Sequence, residues 1–228
     1  MGIEAVIFDM DGVLTDSEDM WQQNEKDLFS AIGIELTPAH LEESRGLRAE
    51  EMVALWISRF SISGEDPHKL RDKYDSLMLE KMKTVVPIME GAREALDYIK
   101  SKGLPMALAS NSTMEQIRAI VERFGFESYF EILLTGVDME AGKPHPAIYL
   151  ESARRMNKKP ELCLAIEDSY FGMKSALAAG MKVIVLPDPK EYEQTRFDAA
   201  DKKIRSLNEI NDQLLEELQR TEKQKTLY

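Results

Sequence analysis

Apolar positions along the chain fall into two patterns. Short, almost continuous apolar runs, some of them rich in β-branched residues, occur at 3–8, 104–109, 132–135, 162–166 and 182–186. Their lack of polar alternation predicts strands covered on both faces. After Pro87 these runs alternate with stretches of helical spacing: 91–100, closed by Gly103; 113–124; 146–156; and one ending at Ala179 before Gly180. Asn208 is expected to cap a last helix over 209–219, followed by a flexible tail at 221–228. Helices alternating with buried strands predict an α/β fold, a doubly wound parallel sheet whose crevice lies at the carboxyl ends of the strands.

Residues 16–86 break that alternation and hold no convincing strand. Thr15-x-x-Glu18 reads as a capping box opening a helix that carries Met20, Trp21, Leu28, Phe29 and Ile32 before Gly33 stops it. Thr37-Pro38 and Asp66-Pro67 each place an N-cap before a proline at the first helical position. Met52, Val53, Leu55, Trp56 and Phe60 form an amphipathic stripe between them. About four helices are expected, packed as a small all-α cap domain inserted after the first strand. The organisation expected is a discontinuous core, 1–15 and 88–220, with a cap at 16–87 hanging over the crevice as a lid.

Composition narrows the partners. A net charge of −12 over 228 residues argues against nucleic acid and acidic membranes. It leaves room for a small anionic substrate, because local cations outweigh distant charge at close range. Cys163 stands alone inside an apolar run and reads as a buried packing residue. With a strand at the N-terminus and no apolar run near membrane-spanning length, a soluble cytoplasmic protein is expected. Nothing calls for an obligate dimer, so a monomer is expected.

Four strand ends or loops carry candidate chemistry. The first strand stops at Asp9 and Asp11, spaced i, i+2 with Gly12 supplying a turn, so both carboxylates can enter one crevice. Two crowded anions at an apolar edge need a cation or a shared proton, which points to a metal site or a catalytic pair. Asp and Gly also dominate ordinary turns. Ser110-Asn111-Ser112 follows a strand and precedes a helix that Ser112-x-x-Glu115 would cap; its hydroxyls and free N–H groups would suit a phosphate, or serve only as caps. Lys143, in Gly142-Lys143-Pro144-His145-Pro146, is held out of a helix by the proline after it. Glu167-Asp168 ends a run too apolar to strand two carboxylates without compensation.

Together, Phe-Asp-Met-Asp-Gly-Val-Leu-Thr-Asp-Ser-Glu, Ser110-Asn111-Ser112, Lys143-Pro-x-Pro and Glu167-Asp168 resemble, in order, the four motifs of the haloacid dehalogenase-like hydrolases. That superfamily has a Rossmann-like core and is dominated by phosphatases. The resemblance implies Asp9 as nucleophile and Asp11 as general acid/base. Ser110, the Asn111 N–H and Lys143 would hold the phosphoryl group. Mg²⁺ would be ligated by Asp9, Asp168 and the Asp11 carbonyl, with Glu167 acting directly or through water.

The insert resembles the cap of the β-phosphoglucomutase-like branch, which includes a mutase. That line carries a His after the first motif and a cap Arg past a Gly, where this chain has Trp21 and Ala49. The departures favour a phosphatase, with the mutase as alternative. Arg45-Gly46-Leu47-Arg48, with Trp21 and Glu18, offers a grip for a sugar or polyol, or ordinary cap packing. Asp-Ser-Glu-x-x-Trp and Gly-Leu-Arg look like bacterial hexose- and hexitol-phosphate phosphatases, including those acting on 2-deoxyglucose 6-phosphate. Asp11 argues against a dehalogenase, and the cap has no recognisable Schiff-base lysine motif for a phosphonate hydrolase. A non-catalytic phosphate-binding or interaction module on the same scaffold is the alternative from another class.

Overall fold

The computed structural model describes residues 2–225, with side chains through 220. The first apolar run forms β1 (Ala5–Phe8), every residue of which is buried. The chain then passes through α1 (Glu18–Ser30), α2 (Pro38–Ser44), α3 (Ala49–Phe60) and α4 (Pro67–Thr84) before α5 (Ala92–Ser101) returns it to the sheet. From there β2 (Met106–Ser110), α6 (Met114–Phe124), β3 (Phe130–Thr135), α7 (Ala147–Arg155), β4 (Cys163–Glu167), α8 (Tyr170–Ala178) and β5 (Lys182–Val185) alternate. A two-residue strand, β6 (Lys202–Lys203), and α9 (Asp212–Lys225) follow.

The strands are parallel and lie in the order β3-β2-β1-β4-β5-β6. Connections from β1 step outward through β2 to β3, then the chain crosses back to β4. The loops leaving β1 and β4 therefore diverge, and a crevice opens where the strand order reverses. Strand pleating splits the core into two layers. Val6 and Phe8 pack with Leu108, Ile166 and Ile117 on one face, while Ala5 and Ile7 pack with Ala165, Val183 and Tyr149 on the other.

The four helices of the insert close around their own apolar cluster, including Leu28, Phe29, Met52, Trp56 and Leu70. Phe29 and Trp56 are fully buried, and each such side chain contributes about 1.5–3 kcal/mol. Thr37 accepts from His40 N and Asp66 from His68 N, each with proline at the first helical position, as the sequence implies. These helices are an all-α cap over the carboxyl end of the sheet. Among the described residues, no helix is long and apolar enough to cross a membrane.

Three expected caps are displaced. Ser17, not Thr15, is the N-cap residue of α1, and its hydroxyl caps nothing because it donates to the carboxylate of Asp11. Thr113 and Gln116, not Ser112 and Glu115, form the capping box of α6, which frees Ser112. Asn208 sits inside a 3₁₀ turn boxed by Ser206 and Glu209, so the last helix starts only at Asp212. Of the tail expected to be loose, 221–225 continue that helix and 226–228 lie outside the described residues.

Candidate active site

Asp9 leaves β1 beside the end of β4, its N–H donating to the Ile166 carbonyl at 3.0 Å. The chain then turns at Gly12, with φ +74°. A Cβ there would overlap Asp168 Oδ2 as well as straining the backbone, so glycine lets β1 and β4 present their acids side by side. Lys143 arrives from the loop before α7. Its Nζ lies 2.8 Å from Asp9 Oδ1, 2.7 Å from Glu167 Oε1 and 3.0 Å from the Ala109 carbonyl. Asp9, Lys143, Glu167 and Asp168 are all buried.

Burying these charges has consequences. Burial, reinforced by Glu167, raises the Asp9 carboxyl well above the usual carboxylate range against the pull of Lys143. Burial pushes Asp168 up to about 7 despite Arg45 beside it. Burial alone would lower Lys143, but Asp9 and Glu167 outweigh it and raise the ammonium, which stays charged. Carboxylate oxygens of Asp9, Glu167 and Asp168 lie within 4.8 Å of one another. A convergent set of hard oxygen donors with excess negative charge suits a small divalent cation such as Mg²⁺.

Asp11 points toward the cap. Its Oδ1 accepts from Ser17 Oγ at 2.6 Å and Trp21 Nε1 at 2.8 Å, and its Oδ2 from Ser112 Oγ at 2.8 Å and more weakly from Ser110 Oγ at 3.5 Å. Ser110 Oγ also accepts from Ser112 N at 3.0 Å. Asn111 Nδ2 donates to the cap's Gly46 carbonyl at 2.8 Å, joining cap to core at the mouth of the site.

The crevice is lined by Asp9, Asp11, Ser110, Asn111, Lys143 and Asp168 from the core and by Glu18, Trp21, Arg45 and Leu47 from the cap. Glu167 lies beneath it, fully buried, where Tyr149 Oη donates to it. Trp21 lines the crevice, donates its N–H to Asp11 and packs against Tyr74 with ring centroids 5.2 Å apart. Arg45 is not free: its guanidinium reaches Asp168 at 2.8 Å, Glu191 at 2.9 Å and Glu18 at 3.4 Å. Arg48 does not line the crevice. As the N-cap residue of α3 it pairs with Glu51 at 2.7 Å and donates to the Gly136 and Met139 carbonyls, each at 3.3 Å.

Sequence reasoning missed Ser17, Tyr149, Glu191 and Glu25. Tyr149 and Glu191 carry no local signal, because tertiary packing alone brings them to Glu167 and Arg45. Glu25 sits on the apolar side of α1, and a carboxylate in that position was a signal available in the pattern.

Residues 6–186 match the family model of haloacid dehalogenase-like hydrolases. Hexitol phosphatase B of Escherichia coli strain K12 is 34% identical over 209 residues, covering 91% of this chain and 94% of that protein. The phosphorylated carbohydrates phosphatase of Thermotoga maritima is 30% identical over 80% of this chain and 84% of its own. The crystal structure of β-phosphoglucomutase from Clostridium difficile superposes with a TM-score of 0.83 at 22% identity, over 96% of this chain and 98% of that one; it shares the fold.

Proposed function

Because the chain belongs to the haloacid dehalogenase-like hydrolases and is a phosphoric monoester hydrolase, we propose that it is a Mg²⁺-dependent phosphatase of hexose or hexitol phosphates. It acts through an aspartyl-phosphate on Asp9, with 1–15 and 88–220 as core and 16–87 as cap. The observation that carries this reading is the buried contact of Lys143 Nζ with Asp9 Oδ1 at 2.8 Å, in a crevice that Asp11 and Ser110 also line. A nucleophile, its neutralising cation, a proton carrier and a hydroxyl for the phosphate thus meet in one place.

Asp9 attacks phosphorus in line and displaces the sugar alkoxide. Lys143, Ser110 and the Asn111 N–H stabilise charge on the equatorial oxygens. Asp11 gives its proton to the leaving oxygen, then takes one from the water that attacks the aspartyl-phosphate, restoring Asp9 and releasing phosphate. Ser17, Ser112 and Trp21 hold Asp11 for both transfers. Asp9, Asp168 and the Asp11 carbonyl would hold Mg²⁺, with Glu167 acting directly or through water, and the ion would supply positive charge to the transferring group. The cap keeps bulk water out while the first transfer occurs.

The hexitol and carbohydrate phosphatases among the relatives support a sugar or polyol phosphate as substrate. The test is phosphate release from a panel of hexose, hexitol, pentose and triose phosphates, with and without Mg²⁺, and with Asp9→Asn as control. Metal- and Asp9-dependent release from six-carbon phosphates is expected. Conversion of glucose 1-phosphate to glucose 6-phosphate would instead establish the mutase, and phosphate binding without turnover would establish a binding module.

A further inference from the structure

The core specifies the phosphate end of the crevice; the cap builds the end where the leaving group must sit. Positive charge is missing from that second end. Among the residues lining the crevice the cations are Lys143 and Arg45. Lys143 lies on the floor between Asp9 and Glu167. Arg45 already faces three carboxylates, Glu18, Asp168 and Glu191, so its single positive charge is more than matched before a second anion on the substrate arrives.

The cap offers acceptors instead. Glu25 and Asp75 line the crevice alongside Glu18, Ser44 and Tyr74. Glu25 is 5% exposed, and its hydrogen bonds, from Trp56 Nε1 at 2.5 Å and Ser44 Oγ at 2.7 Å, both fall on Oε1. Both donors are neutral side chains of the cap, so no cation balances its charge in these bonds, and the residue itself lines the crevice. Asp75 lies where α4 meets α6, taking Gln116 Nε2 on its carbonyl at 3.0 Å and only weakly, at 3.5 Å, on Oδ1. Burial pushes Glu25 up to about 7 and Asp75 up to about 6. Above about pH 7 both groups are ionised; they then accept hydrogen bonds from hydroxyls and oppose further negative charge.

Building on the phosphatase reading, we infer that the crevice selects phosphate monoesters whose leaving group is an uncharged polyol, and that Glu25 and Asp75 make the selection. Their carboxylates accept hydrogen bonds from substrate hydroxyls, which are stronger than neutral ones. A carboxylate or second phosphate on the leaving group meets like charge: Arg71 offsets part of the Asp75 charge from outside the crevice lining, and the lining cations Lys143 and Arg45 are already paired. The same wall works against a mutase, which must hold a substrate with two phosphates.

The test compares kcat/KM at about pH 8, where both carboxyls are ionised, with Mg²⁺ present, for three six-carbon esters: a hexitol 6-phosphate, a sugar-acid 6-phosphate carrying a terminal carboxylate, and a hexitol bisphosphate. The intact enzyme is expected to prefer the first by about tenfold or more, the effect of one unanswered like charge in a partly buried site. Glu25→Gln and Asp75→Asn keep the shape and remove the charge. Each should reduce that preference several-fold, with the loss on the hexitol ester falling mainly on KM and the double variant losing most. Equal rates on the neutral and acidic esters, or a preference unchanged in both variants, would overturn the inference while leaving the phosphatase reading intact. Release of phosphate from none of the three, nor from p-nitrophenyl phosphate, would overturn both. Circular dichroism of each variant separates a lost preference from a lost fold.

Discussion

Replacing Glu25 by Gln should stabilise the protein at alkaline pH, although it removes a charged side chain from a hydrogen-bonded site. In the folded chain Glu25 is buried, and its carboxyl moves from an ordinary 4.5 to about 7, burial prevailing over the hydrogen bonds from Trp56 and Ser44. Between those two values the folded protein keeps a proton that the unfolded chain has released. Stability therefore falls as pH rises from 4.5 to 7, and the whole cost stands above 7. At about 1.4 kcal/mol per pH unit, this rise corresponds to about 3 kcal/mol. Gln cannot ionise, yet its carbonyl can take the bonds that Oε1 takes from Trp56 and Ser44. Urea denaturation, followed by the fluorescence of Trp21 and Trp56, both in the cap beside Glu25, measures the effect. The difference in unfolding free energy between variant and parent should shift in the variant's favour by about 3 kcal/mol between about pH 4 and pH 8.5. Other buried acids, Asp168 among them, titrate in both proteins and cancel in that difference. A difference independent of pH would refute the reasoning.

Three further outcomes follow from the same geometry. Trp21→Phe keeps the contact with Tyr74 but loses the donor to Asp11, so kcat should fall about tenfold or more with KM little changed, measured by steady-state phosphate release. Gly12→Ala forces a Cβ against Asp168 at a backbone angle L-residues avoid; melting temperature should drop, the strain alone costing about 1–2 kcal/mol, and the Mg²⁺ concentration for half-maximal activity should rise. Removing Mg²⁺ with a chelator should stop turnover reversibly while far-ultraviolet circular dichroism stays constant, because the apolar layers around the sheet and in the cap do not depend on the ion.

The fold was legible because its signals are local. Runs such as 162–166 are apolar throughout and, being short, read as buried strands, and Thr37-Pro38 and Asp66-Pro67 mark helix starts by local chemistry. Short-range reasoning failed where a charge elsewhere in the fold competed for a side chain. Ser112 reads as a cap by sequence position and Ser17 occupies the N-cap position of α1, but the Asp11 carboxylate takes both hydroxyls. Arg45 and Arg48 read as a substrate grip or as cap packing, and sequence could not decide; Glu191, far along the chain, claims part of one, and the Gly136 and Met139 carbonyls claim part of the other. β6 was missed because two lysines at a sheet edge carry no apolar pattern. The core motif residues meet as expected because strand ends in a parallel sheet converge by topology alone.

The central claim is that Asp9 carries the phosphoryl group, and the most direct measurement is an acid quench of the enzyme during turnover of a hexitol phosphate with Mg²⁺, followed by peptide mass analysis. The peptide containing Asp9 should gain the mass of one phosphoryl group, and the Asp9→Asn protein, folded by circular dichroism, should show neither the gain nor turnover. A phosphoryl group trapped on another residue, or turnover persisting in Asp9→Asn, would contradict the account.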